Sequence, residues 1–211
     1  MSKGLFITFE GSDGSGKSTH IRLLSEKLRA MGHTVLVTRE PGGCTISEKI
    51  RELVLDREYT EMTPVAEALL YAAARAQHVA QVIRPALERG EIVISDRYLD
   101  SSIAYQGYGR ELGEDLVRTI NAPAIGGLMP DITFFMAVNV RAAQGRIADR
   151  DLDRLELAGL NFHERVGAAF ERLAQQSDGR MVTIETSTDP KPVVHDRIMQ
   201  IIADSGLLPR E

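Results

Sequence analysis

The sequence predicts an α/β fold in which five parallel strands form an open sheet with helices on both faces. Short apolar segments alternate with longer amphipathic segments along the 211-residue chain. A glycine-rich segment, residues 11–19, separates the first apolar segment from the first amphipathic one. Because strands joined by helices lie parallel and are covered on both faces, this alternation favours a doubly covered parallel sheet.

Strands are predicted where β-branched and aromatic residues form short runs. These runs are residues 5–9, 34–38, 92–96, 132–138 and 181–184. Helices are predicted where apolar residues recur every three to four positions, as Ile21, Leu24 and Leu28 do within residues 18–31. The other predicted helices cover residues 46–55, 64–89, 114–121, 162–176 and 192–202. No helix is predicted between residues 97 and 113, and glycines are frequent in residues 106–113.

Charge and composition exclude several classes of protein. The chain has 25 Lys plus Arg against 30 Asp plus Glu, a formal charge of −5, whereas a general nucleic-acid binder has a basic excess. Cys44 is the single cysteine, and the five histidines do not pair at helical ligand spacing, so we expect no zinc site. The apolar stretch near the N-terminus is too short for a signal or membrane segment, so we expect a cytoplasmic protein that binds no membrane.

The most specific motif fits the phosphate-loop pattern G-x-x-x-x-G-K-[ST] between a predicted strand and a predicted helix. In such a loop, glycines let backbone N–H groups turn inward around a phosphate, and the following helix adds the positive end of its dipole. Lys17 is then expected to reach the β and γ phosphates, while Ser18 ligates Mg²⁺. A turn of purely structural use is the alternative. The predicted ATP-binding residues are Gly11, Ser12, Asp13, Gly14, Ser15, Gly16, Lys17, Ser18 and Thr19.

A phosphate loop indicates a nucleotide but not a reaction, since motors, GTPases, transport ATPases and small-molecule kinases share it. The sequence contains no Asn-Lys-x-Asp guanine motif. Asp96 ends the third predicted strand, where a second Mg²⁺ ligand is expected, and Arg97 follows at once. A cation beside that carboxylate indicates a second anionic group, as in phosphoryl transfer between two nucleotides at this sheet edge.

Six motifs follow one another along the chain: Phe9-Glu10-Gly11, residues 38–43 (TREPGG), 96–98 (DRY), 104–107 (AYQG), 152–156 (LDRLE) and 161–166 (NFHERV). In this order they resemble the motifs of the thymidylate kinase family over roughly residues 5–173. The resemblance implies a single P-loop kinase domain over residues 1–211, with the nucleoside monophosphate kinase fold and a homodimeric assembly. It implies phosphorylation of dTMP to dTDP by Mg-ATP, in dTTP synthesis for DNA.

The resemblance places acceptor-binding segments at residues 39–75 and 96–110. Tyr71 and Arg75 stand four residues apart and share a helical face, so a ring can stack on a base while the guanidinium donates to a carbonyl. Thymine offers an O4 acceptor where cytosine has an amino group, so Arg75 is expected to reject cytosine. An exposed arginine on an amphipathic helix is the alternative. By resemblance Ser102 and Gln106 meet the base edge, and Tyr105 lies against the deoxyribose.

Two arginines, Arg39 and Arg97, are assigned to the acceptor phosphate because planar guanidinium forks can clamp it for in-line attack. Glu40 either orients these arginines or a metal-bound water, or caps the turn that it begins. The resemblance places Asp13 near the acceptor sugar and phosphate, with a turn-capping role as the alternative. We expect the catalytic residues to be Lys17, Arg97, Asp13 and Arg150.

Residues 141–156 are predicted to form a lid. Arg146, Arg150 and Arg154 recur at intervals of four, although interspersed aspartates also fit a salt-bridged solvent face. Gly14 stands where eukaryotic relatives carry an arginine, so the resemblance is to the bacterial type, in which Arg150 of the lid contacts the transferring phosphoryl group.

Two alternative functions remain open. The protein is either another nucleotide or deoxynucleoside kinase, or a non-catalytic nucleotide-binding switch.

Overall fold

A computed structural model describes residues 4–139, 143, 145 and 151–208. Within this part of the chain, five parallel strands form one sheet in the order β2-β3-β1-β4-β5. The predicted five-stranded parallel sheet flanked by helices is therefore confirmed. The strands are β1 (Leu5–Glu10), β2 (Val35–Arg39), β3 (Ile92–Asp96), β4 (Ile132–Ala137) and β5 (Met181–Glu185).

Helices cover both faces of the sheet and include two π-helical stretches, Val79–Ile83 and Ile103–Gly109. None of the helices in the described ranges is both long and apolar enough to cross a membrane. The α-helices are α1 (Lys17–Ala30), α2 (Thr45–Leu55), α3 (Pro64–His78), α4 (Arg84–Glu88), α5 (Leu99–Ser102), α6 (Glu114–Ile125), α7 (Leu160–Gln175) and α8 (Lys191–Ser205).

The alternation of side chains along β1 separates two hydrophobic cores. Leu5, Ile7 and Phe9 pack on the side of α1 and α8, whereas Phe6 packs on the opposite side with residues of α3, α6 and α7. Glu10, the last residue of β1, therefore lies on the same face of the strand as Phe6. Its carboxylate lies beneath the segment that follows β3.

Two helical segments differ from the prediction. Residues 64–88 are helical throughout, close to the predicted 64–89, but they comprise α3, a π-helical stretch and α4 rather than one regular α-helix. Residues 99–109, for which no helix was predicted, are helical, because packing overrides the low helix propensity of glycine. Gly109 shows this packing, since a Cβ there would lie 2.6 Å from the ring of Phe162.

The strand register brings the candidate motifs to one edge of the sheet. Asp96 of β3 lies opposite Phe9 of β1 and Arg39 of β2. The phosphate loop, residues 40–43 and residues 97–98 therefore leave the carboxyl ends of three adjacent strands. Crevices at this edge are where α/β sheets bind ligands.

Candidate active site

The side chain of Lys17 folds back over the phosphate loop to which it belongs. Gly11, Gly14 and Gly16 all have positive φ, a conformation that glycine adopts without steric cost. Lys17 begins α1, and its Nζ donates to the backbone oxygens of Gly11 and Ser12, both at 2.9 Å. The ammonium is thus held over the loop whose N–H groups are suited to a phosphate.

Lys17 is buried, and that burial lowers the pKa of its ammonium. Arg97 lowers this pKa further, whereas Asp13 and Asp96 raise it. A triphosphate bound in the loop would add negative charge beside the ammonium. Binding of the anion and retention of the lysine proton therefore favour each other.

Ser18 and Asp96 form a small oxygen site beside the loop. The Ser18 hydroxyl donates to Asp96 Oδ2 at 3.5 Å. Asp96 Oδ1 and the hydroxyl of Ser15 are buried and have no hydrogen-bond partner among the described residues. Mg²⁺ prefers oxygen ligands and is usually held by one or two carboxylates together with waters and substrate phosphates. This donor set fits a Mg²⁺ ion that accompanies a nucleotide.

Arg97 links the phosphate loop to the neighbouring cavity. Its φ of 73° is unusual for a residue other than glycine, and its backbone N–H donates to the oxygen of Phe9 at 2.9 Å. Its guanidinium donates to Asp13 Oδ1 at 2.9 Å and to the hydroxyls of Ser101 and Tyr105 at 3.0 and 3.3 Å. One arginine therefore contacts both the loop and the acceptor side.

Glu10, the middle residue of the Phe9-Glu10-Gly11 motif and not one of the predicted site residues, holds the segment that carries this arginine. Its carboxylate is fully buried and accepts from the backbone N–H groups of Tyr98 and Ser101 at 2.8 and 3.2 Å, and from the Ser101 hydroxyl. Burial raises the pKa of Glu10 to about 7, with a further contribution from Asp100. Glu10 thus fixes the backbone around Arg97 through bonds to the residues that follow it.

Arg75 is buried rather than exposed, and it is held by groups from four other segments. Nε donates to Glu40 Oε2 at 2.7 Å, Nη1 to Ser102 Oγ at 3.0 Å and to Asn121 Oδ1, and Nη2 to the Tyr98 oxygen at 2.9 Å. Four of its five N–H groups are thus committed to protein acceptors. The described residues provide no acceptor for the fifth, on Nη2.

His78 completes the network around Glu40 and was not identified from the sequence. Its Nδ1–H donates to Glu40 Oε1 at 3.0 Å, and Nε2 lies 2.7 Å from the hydroxyl of Thr38. Glu40 therefore orients Arg75, a partner that was not among those considered for it, which were Arg39, Arg97, a metal-bound water and the turn that it begins. His78 lies three residues after Arg75 on α3, but helical spacing alone does not show which carboxylate the pair faces.

A cavity beside the phosphate loop collects most of the predicted acceptor-binding residues. Tyr71 and Arg75 both line it from α3, as their spacing of four predicts. The predicted residues in its lining are Asp13, Glu40, Tyr71, Arg75, Arg97, Ser102, Tyr105 and Gln106. The other lining residues were not predicted individually but fall within the predicted acceptor segments or the predicted lid; they are Pro41, Arg51, Leu55, Ser101, Asp153 and Leu155.

Arg39 lies outside the lining of this cavity. Its Nη2 donates to both carboxylate oxygens of Glu48, at 3.0 and 2.9 Å, and 53% of its side chain is exposed. The structure therefore does not bring Arg39 together with Arg97. A rotation of its exposed side chain away from Glu48 would be needed for both to meet one phosphate.

A third buried carboxylate, Glu67, lies outside the lining of the cavity. It accepts from Gln106 Nε2 at 2.9 Å and from Arg110 Nη2 at 3.0 Å, and it forms an ion pair with Arg154, whose Nη2 lies 2.7 Å from Oε2. Arg154 also donates to the oxygen of Val54. Arg154 is thus anchored against α2 and α3, not on a solvent-exposed face.

The other two predicted lid arginines, Arg146 and Arg150, lie outside the described residues. Ala143 is described, and its backbone oxygen lies so close to Gly14 that a Cβ on Gly14 would approach it to 2.4 Å. Glycine at this position of the phosphate loop therefore permits the close approach of residue 143.

The phosphate loop, the Ser18–Asp96 pair and the arginine-lined cavity share one edge of a parallel sheet. This combination defines the class of P-loop kinases, which bind a nucleoside triphosphate beside a second substrate. The family model described as Thymidylate kinase matches residues 9–198. The chain belongs to the thymidylate kinase family.

Individual relatives agree with this assignment. The chain is 53% identical over 183 residues to a thymidylate kinase of an Exiguobacterium strain, covering 86% of each chain. It is 46% identical over 207 residues to a thymidylate kinase of Deinococcus radiodurans, covering 98% of this chain and all of the relative. A crystal structure of thymidylate kinase from Ehrlichia chaffeensis superposes with a TM-score of 0.77 at 34% identity, covering 96% of this chain and all of that one.

Proposed function

We propose that this protein transfers the γ-phosphoryl group of ATP to dTMP, forming ADP and dTDP on the route to dTTP for DNA synthesis. Membership of the thymidylate kinase family supports the reaction. The observation that carries it at the level of residues is the contact of Arg97 with Asp13 at 2.9 Å, because it joins the phosphate loop to the acceptor cavity.

The triphosphate occupies the phosphate loop in this proposal. Backbone N–H groups of residues 11–19 bind its phosphate oxygens, and Lys17 exchanges its two backbone acceptors for β and γ oxygens. Ser18 and Asp96 would hold Mg²⁺, which neutralises charge on the β and γ phosphates when bound. The homodimer and the cytoplasmic location implied by the resemblance belong to this proposal as well.

The acceptor nucleotide occupies the neighbouring cavity. Tyr71 stacks on the thymine, the remaining N–H of Arg75 donates to O4, and Ser102 and Gln106 meet the base edge. Arg97 and Arg39 bind the 5′-phosphate, with Arg39 released from Glu48. Tyr105 and Asp13 contact the deoxyribose side of the nucleotide.

Phosphoryl transfer requires positioning and electrostatic stabilisation more than covalent chemistry by the protein. Arg97 aligns the attacking phosphate oxygen, because its backbone is fixed by Phe9 and by Glu10. Lys17 stabilises the negative charge that develops between the β and γ phosphates. We assign Arg150, and with it Arg146, to the transferring group, whereas Arg154 stays anchored to Glu67.

Release of ADP in a coupled spectrophotometric assay tests this function. With ATP and Mg²⁺, dTMP should stimulate ADP release strongly, whereas dCMP, AMP and thymidine should leave it near background. Discrimination against dUMP should be modest, because one methyl group in an apolar pocket contributes roughly 1–3 kcal/mol. Equal stimulation by thymidine would indicate a deoxynucleoside kinase, and no stimulation by any acceptor would indicate a nucleotide-binding switch.

A further inference from the structure

Glu67 lies in the first turn of α3 and is completely buried. Two of its partners are guanidinium groups, those of Arg110 at 3.0 Å and Arg154 at 2.7 Å. A guanidinium group can only donate hydrogen bonds, and Arg110 donates to both oxygens of Glu67, from Nε to Oε1 at 3.3 Å and from Nη2 to Oε2 at 3.0 Å. Both oxygens of Glu67 therefore act as acceptors.

This property determines which way the Gln106 amide faces. Because Glu67 only accepts, the atom that approaches it at 2.9 Å must be the amide nitrogen of Gln106. The amide oxygen then points away from Glu67. Gln106 lines the acceptor cavity, and its oxygen is neither bonded to a described residue nor among the buried atoms that lack a partner. The oxygen is therefore the atom of this amide that faces the cavity.

We infer that Glu67 is a positioning residue for pyrimidine selection, which it performs by holding Gln106 with its amide oxygen toward the base. The inference rests on the proposed binding of dTMP in this cavity. Thymine and uracil carry a hydrogen on N3 and can donate to that oxygen. Cytosine has an unprotonated N3 and would place an acceptor against an acceptor.

Gln106 and Arg75 contact different atoms of the base in this proposal. Arg75 offers a donor to the atom at position 4, while Gln106 offers an acceptor to position 3. Glu67 lies outside the cavity lining and acts only through Gln106. Its effect should therefore appear as a change in selectivity among pyrimidines with different N3 chemistry.

The variant Glu67→Gln tests the inference because it keeps the shape of the side chain. Arg110 and Arg154 require an acceptor, so the new amide turns its oxygen toward them and its nitrogen toward Gln106. Gln106 must then rotate and present its own nitrogen to the base. We expect the ratio of kcat/KM for dTMP to that for dCMP to fall about tenfold, as the loss of one hydrogen bond implies, with the dTMP-to-dUMP ratio unchanged.

The control variant Arg110→Met removes a partner of Glu67 but leaves the Glu67–Gln106 hydrogen bond. It should retain the wild-type dTMP-to-dCMP ratio even if its stability falls. A folded Glu67→Gln variant with a wild-type ratio would overturn the inference. So would an equal loss of the dTMP-to-dCMP ratio in Arg110→Met, since this would indicate general loosening of the cavity.

NMR of the wild-type protein gives an answer even if Glu67→Gln does not fold. With ¹⁵N-labelled glutamine and a Gln106→Met variant for assignment, the side-chain amide hydrogens of Gln106 should exchange slowly and shift little on addition of dTMP. Rapid exchange, or a large shift showing that these hydrogens donate to the base, would overturn the inference. Absence of turnover of dTMP by the wild type would instead refute the proposed function.

Discussion

Arg75 Nε donates to Glu40 Oε2 at 2.7 Å, and both side chains are almost entirely buried, with 2% and 3% exposed. Nη1 and Nη2 of the same guanidinium bind acceptors on α5, on α6 and before α5. The pair thus connects α3 to the turn after β2. Because the pair is buried, removing one partner should lower the free energy of unfolding more than breaking an ion pair on the surface does.

Glu40→Gln should destabilise the protein by about 3 kcal/mol or more, because it leaves the Arg75 charge buried without its counter-ion. Glu26→Gln is a matched control, since the Arg22–Glu26 pair on α1 is 60% and 55% exposed and should contribute under about 1 kcal/mol. Urea unfolding of both variants measures the difference. Similar losses in the two variants would contradict the structural role of the buried pair.

Lys17→Ala should reduce turnover to near background while leaving the binding of dTMP measurable. The reason is that Lys17 lies over the phosphate loop and is absent from the lining of the acceptor cavity. Steady-state kinetics and calorimetric titration with dTMP separate the two effects. Turnover close to that of the wild type would refute the assigned role of Lys17.

Glu10 should make the stability of the protein decline as pH rises from about 4.5 to 7. Burial raises the pKa of Glu10 from 4.5 to about 7 in the folded state, so over this range the folded protein binds more protons at Glu10 than the unfolded chain does. The stability that this provides is fully present below pH 4.5 and is lost as pH passes through 7. It corresponds to about 3 kcal/mol at 1.36 kcal/mol per pKa unit.

Glu10→Gln removes this titration. Its unfolding free energy relative to the wild type should therefore rise between pH 5 and pH 8, whereas Glu26→Gln on the surface should show no such trend. Urea unfolding at four pH values in this range suffices. A difference between Glu10→Gln and wild type that stays constant with pH would contradict the burial of an ionisable carboxylate there.

Two of the predicted lid arginines should respond differently to removal. Arg154→Ala should lower stability, because Arg154 binds Glu67 and the Val54 oxygen with only 9% of its side chain exposed. Arg150→Ala should lower kcat about 10³-fold with little effect on stability, as expected for an arginine that contacts the transferring phosphoryl group. Unfolding curves and kcat for both variants test this contrast, and near-normal turnover by Arg150→Ala would remove the assignment.

The sheet could be predicted well from the sequence because each strand is a short apolar run and the loop between β1 and α1 matches a well-defined sequence motif. Spacing also predicted that Tyr71 and Arg75 share a face, since that relation is local to one helix. It could not identify the partners of Arg75. Glu40 and Asn121 are 35 and 46 residues away in the chain, and only the fold brings them to this guanidinium.

Glu10 and Glu67 were missed for a related reason. Each is a single acidic residue in an apolar or helical segment, and its burial depends on donors supplied by distant elements. The helical segment at 99–109 was missed because its glycines disfavour a helix locally, while packing of Gly109 against Phe162 requires the absence of a side chain. Local propensity predicts secondary structure, whereas the burial of Glu10 and Glu67 and the helical segment at 99–109 depend on tertiary contacts.

Direct detection of the labelled product tests phosphoryl transfer from ATP to dTMP most simply. The purified protein is incubated with [γ-³²P]ATP, Mg²⁺ and dTMP, and the nucleotides are separated by chromatography. We predict that label moves from ATP into dTDP, that chelation of Mg²⁺ by EDTA stops the transfer, and that dCMP gives little labelled product. Label that appears only as inorganic phosphate, or not at all, with dTMP present would contradict the assignment of phosphoryl transfer to dTMP.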